Sequence, residues 1–266
     1  MKIPTLLSLA ILAVALSSCS TVPLTGRSQL NVVSDAEINQ SAATSYRTLL
    51  SDPKTKVIAN TADAQRVQRV GSRLARAVQN YLQQNGYANQ YNFDWQFNLI
   101  QSGEINAWCM PGGKVAVYSG ILPYSRDDAG LATVLGHEIG HAIAHHSAER
   151  ISQQYVAQGI GAAIGTAANV SNNRTVGIVN SLYGVGGQLV LLKYSRNQES
   201  EADRLGLTFM ALAGYDPHIA VGFWQRMAAA NPGNGTPEFL STHPADATRI
   251  AAIQNELPEA MKYYHP

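Results

Sequence analysis

The sequence predicts an α+β fold that is mostly helical and includes a small β-sheet. Apolar residues recur at helical spacing over several long stretches, and two short stretches near the middle of the chain have the patterns of strands. Capping-box patterns stand just before two of the periodic stretches and mark helix starts. With 266 residues, 45% of them hydrophobic, the chain is long enough for one domain with a sizeable core.

The individual elements follow from these patterns in chain order. Helices are expected from the capping box at 34–37 to about Leu50, over 61–84, and over 127–147 after a capping box at 125–128. A fourth helix is expected through Leu205, Phe209 and Leu212, with Gly214 at its C-cap, and a last helix after a cap at Thr242. Strands are expected at 92–99, where four apolar residues alternate with polar ones, and at Lys114–Tyr118 after the turn at 111–113. A surface loop is expected at 231–237.

Two segments, 151–173 and 175–192, contain no charged residue and are rich in Gly, Ala and Val. Small residues of this kind allow helices to approach closely, also within a lipid bilayer. Amide and hydroxyl side chains interrupt both segments, which disfavours a membrane span. We therefore expect close-packed or mobile helical segments next to the site, with insertion into a bilayer as the alternative.

The charge balance excludes one class of function. The chain carries 19 Lys and Arg residues against 18 Asp and Glu residues. A nucleic-acid binder needs a surplus of basic residues that is concentrated on one face. No nucleic-acid partner is therefore expected.

The N-terminal residues 1–18 have the pattern of a secretory signal that is removed: Lys2 precedes an apolar run at 6–16, and small residues lead to Cys19. The run is too short for a transmembrane helix, which needs ~20 residues. Small residues before a cysteine resemble the lipobox of bacterial lipoproteins, which implies an acylated Cys19. An ordinary signal peptide with a chance cysteine is the alternative. Ser20, in place of Asp, then implies sorting to the outer membrane, facing the periplasm.

The rest of the chain divides into three parts. Residues 19–33 are polar and are expected to form a tether that lifts the domain at 34–258 off a membrane, and 259–266 form a tail. An acylated Cys19 leaves Cys109 without a disulfide partner in the chain. Cys109 is expected to be a small buried apolar residue, with a reactive thiol as the alternative.

The stretch 136–146, "GHEIGHAIAHH", carries the strongest chemical signal. Each helical residue turns by about 100°, so His137 and His141 lie about 40° apart and one turn apart, and both imidazoles can bind one ion. Glu138 lies beside that ion, in position to take a proton from water. This is the mechanics of H-E-x-x-H, and zinc suits imidazole ligands and lowers the pKa of water. Four histidines on a surface helix without a metal are the alternative.

The other two histidines of this stretch are expected to lie outside the ligand set. Residues 142–144 are expected to continue the helix, which puts His145 one further turn, ~5 Å, along the axis beyond His141 and about 80° round from His137. We therefore interpret His145 and His146 as supporting or surface groups.

A catalytic zinc site usually has three protein ligands, so a third must come from elsewhere. In "ESEAD", Glu199 and Asp203 share a helix face, whereas Glu201 points about 200° away from Glu199. One carboxylate of the aligned pair can bind the metal while the other accepts the free N–H of a ligand imidazole. The spacing leaves open which does which, and an ordinary charged helix start is the alternative.

Four stretches together resemble the M48 family of zinc peptidases, in its periplasmic lipoprotein branch and the related mitochondrial quality-control peptidase. They are "NAWCMPGGKVAVYSGIL", "HEIGH", "NQESEAD" and "STHP" with a following Arg249. The resemblance covers about residues 34–255. It implies a mostly helical zincin (gluzincin-like) domain with a small β-sheet whose edge strand lies beside the active-site helix.

The resemblance also implies roles for single residues. One zinc ion per subunit would be held by His137, His141 and Glu199, with Asp203 supporting a ligand and Glu138 as general base. His243 would either close the site at rest or steady the oxyanion during turnover. Substrate would bind as an added strand along a sheet edge, for which the candidates are Gly112, Gly113, Lys114, Val115, Ala116 and Val117.

These expectations amount to a lipid-anchored zinc endopeptidase that cleaves unfolded or misfolded periplasmic and outer-membrane proteins. A rival interpretation is a non-proteolytic lipid-anchored chaperone or assembly factor with a structural zinc site, which has no need of Glu138. A third is a latent peptidase whose site is closed by residues 151–192 or by His243.

Overall fold

The computed structural model describes residues 19–31, 33–157, 194–230, 239–240 and 243–265. Its strands are β1 (Cys19–Thr21), β2 (Ser28–Leu30), β3 (Val57–Ile58), β4 (Gln96–Ile100), β5 (Ala107–Met110) and β6 (Lys114–Tyr118). Its helices are α1 (Asp35–Ser51), α2 (Ala62–Gln84), α3 (Leu122–Ser125), α4 (Asp128–Ile143), α5 (His146–Ala157), α6 (Arg196–Leu212), α7 (Ile219–Ala229) and α8 (Ala247–Ala260). The predicted α+β class is confirmed.

The main sheet has the strand order β3–β4–β6–β5. Strand β6 runs parallel to β4 and antiparallel to β5, and β3 is antiparallel to β4. The turn between β5 and β6 contains Gly112 and Gly113 with φ of 75° and 83°. This left-handed conformation favours glycine, so the two glycines allow the tight reversal that pairs β5 with β6.

Alternate residues of the sheet enter two separate hydrophobic cores, because successive strand residues point to opposite faces. One face packs with α2 and α4 and contains Phe97, Leu99, Ala107, Cys109, Val115 and Val117. The other face packs with α1 and contains Ile100, Trp108, Met110 and Ala116. Tyr46 of α1 fixes this second layer, since its hydroxyl donates to the Val115 carbonyl at 2.5 Å.

Helices α4 and α6 cross at a close backbone contact. A Cβ atom on Gly206 of α6 would lie 2.9 Å from the carbonyl carbon of Gly136 and 2.9 Å from the nitrogen of His137. A Cβ on Gly140 would lie 2.7 Å from the carbonyl oxygen of Ala202. All residues of α4 from Gly130 to His141 are buried. The glycines therefore allow the central helix and α6 to lie nearly backbone to backbone.

The prediction that Lys114–Tyr118 forms a substrate-binding sheet edge is wrong. Strand β6 is paired on both sides, with β4 and with β5, so it has no free edge. The sequence did not indicate β5 as a strand because all four of its residues are buried, which removes the alternation of polar and apolar residues. Among the described strands, β5 is the edge that lies beside α4.

The prediction of a tether at residues 19–33 is also wrong for the described part of that segment. Strands β1 and β2 form an antiparallel hairpin, and Val22 at its turn is buried in the main core. Arg27 forms ion pairs with Glu149 and Glu201. A polar, Pro- and Gly-containing sequence is equally typical of a turn, and one buried valine with two ion pairs holds this turn on the domain.

Several element ends differ from the prediction. The strand expected at 92–99 begins at Gln96. Asp127, and not Ser125, caps α4, since Ser125 ends the preceding short helix α3. Asp246 caps α8 in place of Thr242. Each true cap is an Asp that accepts a backbone N–H three residues on, which any Ser, Thr, Asp or Asn can do, so several nearby residues matched the pattern.

Some predictions lie outside the described residues. These are the loop at 231–237 and the uncharged segments from 158 onward. Residues 151–157, the first part of these segments, form the end of α5. Among the helices that are described, none has both the length and the apolar content that a membrane span requires.

We predict that Gly206→Ala destabilises the protein by about 1–3 kcal/mol, the usual cost of overpacking a tight contact. The added methyl group would meet backbone atoms of α4, which have no other rotamer to adopt. Thermal melting of the metal-free protein measures this. The matched control is Gly222→Ala in α7, where the new methyl group meets only the mobile end of Arg226 at 3.3 Å. Equal melting temperatures for the two variants would contradict the proposed contact.

Candidate metal centre

The helix contact brings four metal-ligating side chains together. His137 and His141 come from α4, Glu199 from the first turn of α6, and His243 from the segment before α8, and all four are buried. The Nε2 atoms of His137 and His141 are 3.1 Å apart. They lie 3.5 and 3.4 Å from carboxylate oxygens of Glu199. The Nδ1 atom of His243 lies 3.1 Å from His137 Nε2 and 2.9 Å from Glu199 Oε1.

These distances fit a zinc ion. Ligand atoms that bind zinc at about 2.0–2.1 Å in a tetrahedron lie about 3.3 Å from one another. Three imidazole nitrogens and a carboxylate oxygen also form a donor set that zinc prefers. The residues present therefore fit the metal that the H-E-x-x-H pattern predicts.

The charges of the site call for a divalent cation as well. Glu138, Glu199 and Asp203 are buried carboxylates, and Arg249 is the one buried guanidinium among the described residues that faces them. Ionised together, these four side chains carry a net charge of 1 − 3 = −2. A buried charge is costly unless it is paired, so a dication at this place would complete the balance.

The histidine ligands differ in proton affinity without a metal. Burial opposes a proton on His137, but its hydrogen bonds with Asp203 and Glu199 prevail and raise its pKa to about 9. Burial lowers the pKa of His141 well below the usual range. The pKa of Glu199 lies well below the ordinary value despite burial, because three histidines surround it. Metal binding must therefore displace a proton from this cluster, which weakens binding as the pH falls.

Glu138 lies one residue beyond the first ligand and faces the cluster. Its Oε1 atom is buried and has no hydrogen-bond partner among the described residues, and His243 Nε2 lies 3.6 Å away. The backbone N–H of Cys109 in β5 donates to the carboxylate. Burial raises the pKa of Glu138. A buried oxygen without a hydrogen-bond donor is rare, so a water molecule is expected to donate to it. A general base that takes a proton from a metal-bound water needs the same contact.

Asp203 supports the first ligand from the side opposite the metal. Its Oδ1 atom lies 2.9 Å from Nδ1 of His137, so it accepts that N–H and leaves Nε2 for an ion. Arg249 clamps Asp203 with two hydrogen bonds of 2.8 and 2.7 Å. The same guanidinium lies 3.1 Å from Glu199 and 3.5 Å from the ring centre of Trp224.

Sequence reasoning did not assign a role to Arg249, although the family resemblance included it. The available signal was its place three residues after the cap Asp246 of α8, which sets the first turn of that helix beside the site. Arg249 is buried, as an arginine is when carboxylates pair with it. It therefore holds one ligand directly and another through Asp203.

His146 is a supporting group, one of the two roles predicted for it, whereas the predicted continuation of the helix through Ala144 is wrong. Helix α4 ends at Ile143, and His145 has φ of 52°, which turns the chain before α5 begins. His146 is fully buried, with its Nδ1 atom 2.8 Å from Nδ1 of His141. His145 instead points to Asp35 at 2.9 Å, away from the metal centre.

Glu201 lies outside the cluster of four ligands, as its helix position relative to Glu199 predicts, but it has a place in the site. Its Oε2 atom lies 2.9 Å from Nε2 of His146, and the N-terminal hairpin binds the same carboxylate. These contacts hold the pKa of Glu201 at about 2 despite partial burial. Helix geometry did not indicate the contact between His146 and Glu201, because it depends on the turn at His145. It did not indicate the ion pair of Glu201 with Arg27 either, because these residues are 174 positions apart.

A cleft of about 490 Å³ lies beside His141, between the start of α1, residues 89–93 and the turn at Pro111 and Gly112. Of the predicted substrate-binding residues, Gly112 lines this cleft. Lys114 pairs with Asp94 at 2.6 Å, and the Val115 and Val117 side chains lie in the core. Gly113 packs against Trp95, and Ala116 faces the α1 layer.

Cys109 is buried, and burial raises its pKa well above the usual range. A reactive cysteine needs an accessible thiolate with a lowered pKa. The reactive-thiol alternative is therefore disfavoured, and the expectation of a buried apolar residue agrees with the structure.

A buried H-E-x-x-H helix, a carboxylate from a second helix and an α+β frame together define a metallopeptidase type of centre. Residues 61–257 match the model of Peptidase family M48, and the chain belongs to this family.

Curated relatives are similar over much of the chain. Mitochondrial metalloendopeptidase OMA1 of Schizosaccharomyces pombe is 34% identical over 62% of this chain and 48% of its own length. Metalloendopeptidase OMA1 of Bos taurus is 30% identical over 90% of this chain and 46% of its own length. Beta-barrel assembly-enhancing protease of Escherichia coli strain K12 is 27% identical over 64% of this chain and 36% of its own length. The chain thus spans half or less of the length of these relatives.

We predict that Glu199→Gln loses zinc, because it removes the anionic ligand and one of the negative charges that a dication would balance. Metal analysis of the purified protein should fall from about one zinc per chain, as expected for a single tetrahedral site, to near zero. His145→Ala serves as the control, since His145 lies in the same stretch but pairs with Asp35. Retention of full zinc by Glu199→Gln would contradict the assigned ligand set.

Proposed function

We propose that this chain is a zinc-dependent endopeptidase. The observation that carries the proposal is Glu138, whose buried carboxylate has an unpaired oxygen beside a cluster of four metal-ligating side chains. A structural zinc site has no use for such a base, because its purpose is to be closed and inert. The family assignment supports the same activity.

The chain's residues divide the chemistry among them. His137, His141 and Glu199 hold the metal, which when bound lowers the pKa of water and polarises a carbonyl group. Glu138 takes the proton of the attacking water and later gives it to the leaving amine. Its raised pKa suits both tasks, since a general base works best when its pKa approaches the working pH.

His243 is proposed to close the centre at rest. Its Nδ1 atom lies as close to His137 and Glu199 as a fourth ligand would, and catalytic zinc needs one position open. The alternative role of steadying the oxyanion requires this imidazole to leave the ligand position first. The latent form of the enzyme is therefore the arrangement with four protein ligands.

Substrate is proposed to bind along β5 and not along β6. Tyr118 N donates to the Asn106 carbonyl, so the backbone N–H and C=O groups of residues 106, 108 and 110 point towards β6. The backbone groups of Ala107 and Cys109 therefore point towards the outer edge of the sheet. The N–H of Cys109 already reaches Glu138. An extended peptide paired with this edge would lie beside the base, and backbone pairing makes little demand on its sequence.

The proposed setting is the bacterial envelope. The signal-like residues 1–18 and the lipobox pattern at Cys19 support a lipid anchor at the outer membrane, facing the periplasm. The Escherichia coli relative is named for β-barrel assembly, and the OMA1 relatives are named as mitochondrial. Unfolded or misfolded envelope proteins are the proposed substrates. A lipid-anchored chaperone with a structural zinc site is the second candidate, and the word assembly in the name of that relative favours it.

We predict that Glu138→Gln retains zinc and lowers the cleavage of casein or of a misfolded porin by at least about 10²-fold, the usual contribution of a general base. Zinc content and cleavage rate are measured on the same preparation. Glu256→Gln on the exposed side of α8 is the matched control. Full residual cleavage by the Glu138 variant would contradict its role as the base. Wild-type protein that has chaperone activity but does not cleave would favour the second candidate.

We also predict that His243→Ala raises the rate of casein cleavage while zinc remains bound by the other three ligands. The substitution opens the fourth position without removing a charge that the site needs. His218→Ala is the control, because His218 is exposed and pairs only with Asp216 among the contacts described. A slower or unchanged rate in the His243 variant would count against closure at rest.

A further inference from the structure

We infer that the N-terminal hairpin is a working part of the metal centre: its Arg27 and Thr25 fix the orientation of the metal ligand His141 through Glu201 and His146. This inference rests on the proposed zinc centre but concerns residues outside the ligand set, and Thr25, Arg27 and His146 lie outside the four stretches that carry the family resemblance. The four contacts form one continuous chain from the hairpin to the ligand.

The first step fixes the proton of His141. Its Nε2 atom faces the metal cluster, so in the metal-bound form the ring carries its proton on Nδ1. The atom 2.8 Å from that Nδ1 is Nδ1 of His146, which must accept. His146 can accept there only when its own proton is on Nε2. A single proton arrangement therefore satisfies both rings.

The second step fixes His146. Its Nε2 lies 2.9 Å from Oε2 of Glu201, so the ring donates to a carboxylate. A carboxylate that accepts from a ligand imidazole sets the tautomer and the ring orientation of that ligand. Asp203 does this for His137 directly, whereas Glu201 does it for His141 through one intervening imidazole.

The third step ties Glu201 to the hairpin. Arg27 Nε donates to Oε2 of Glu201 at 2.6 Å, and the hydroxyl of Thr25 donates to Oε1. Arg27 also pairs with Glu149 of α5 at 3.0 Å, which fixes its guanidinium between two helices. A carboxylate that an arginine holds thus stands behind each ligand histidine, directly behind His137 and through His146 behind His141.

The hairpin itself is well placed for this role. Its turn is closed by hydrogen bonds of 2.9 Å from Val22 N to Arg27 O and from Gly26 N to Val22 O. Val22 is buried in the main core. Cys19, the predicted acylation site, is the first residue of β1, only eight positions before Arg27. The position of this hairpin therefore connects the proposed anchor to the metal centre.

The test measures zinc affinity of the mature chain, with the metal first removed by a chelator and then returned in competition with a coloured chelator. His146→Leu removes both contacts of the relay, and we expect its zinc affinity to fall about 10–100-fold, as for other residues that support metal ligands. His146→Asn keeps an acceptor near the former Nδ1 position and should recover part of this loss. Arg27→Gln should weaken zinc binding in the same direction by a smaller factor.

Two controls separate positioning from simple folding. Arg47→Gln removes an exposed arginine of α1 that contacts Thr44 and should leave zinc affinity unchanged. Melting of the metal-free proteins reports stability, and a merely structural role would lower these melting temperatures and leave the zinc affinity of the folded protein as it was. The visible spectrum of bound Co²⁺ should also shift in the His146 variants, because the orientation of a ligand changes.

The outcomes distinguish the inference from the proposed function. Zinc affinity within twofold of wild type in both Arg27→Gln and His146→Leu would overturn the relay. If His146→Leu does not fold, Arg27→Gln decides by itself, since Arg27 is partly exposed. Wild-type protein that binds zinc but does not cleave would refute the proposed function and leave the relay intact.

Discussion

The close approach of α4 and α6 is the constraint on which the site depends. Two of the expected ligands and the base lie on α4, and the third ligand lies on α6. Side chains as short as those of His and Glu can share one ion only if the helix axes are unusually close. Gly136 and Gly206 allow this, because neither has a Cβ atom to separate the backbones. Backbone contact also leaves no rotamers to adjust, so the positions of the ligand atoms are set by the two helices as rigid bodies.

This rigid geometry would be unstable without a second layer of contacts, because burying three carboxylates is costly. Arg249 and Arg27 supply cations at opposite ends of the cluster. One holds Asp203 behind His137, and the other holds Glu201 behind His146 and His141. The arrangement leaves the ring nitrogens nearest the centre as acceptors, which is the form in which imidazole binds a metal.

Local patterns in the sequence predicted much of this structure, whereas contacts between distant parts of the chain could not be predicted. Periodicity and caps indicated the helices, and the i,i+4 spacing indicated His137 and His141. The turn at His145 was not predicted, because a histidine with a left-handed backbone conformation looks the same in the sequence as a helical one. Strand β5 was missed because burial on both faces removes its alternation. The ion pair of Arg27 with Glu201 joins residues that are distant in the chain, and one sequence carries no signal for such a contact.

The proposed closure by His243 has an energetic consequence. The backbone N–H of His243 donates to Phe239 at 2.8 Å, and Arg249 donates to the carbonyl of the adjacent Pro244 at 3.1 Å. Moving the imidazole out of the ligand position costs the contact with Glu199, and a movement of the main chain would cost these backbone hydrogen bonds as well. A substrate can open the centre only if it binds the open form better than the closed one, by at least that cost. The proposed pairing of substrate along β5 would provide such differential binding, because it can form fully only when the position next to Glu138 is clear. An enzyme built this way discriminates by the availability of extended backbone, since folded proteins rarely present a free strand to the edge at Cys109.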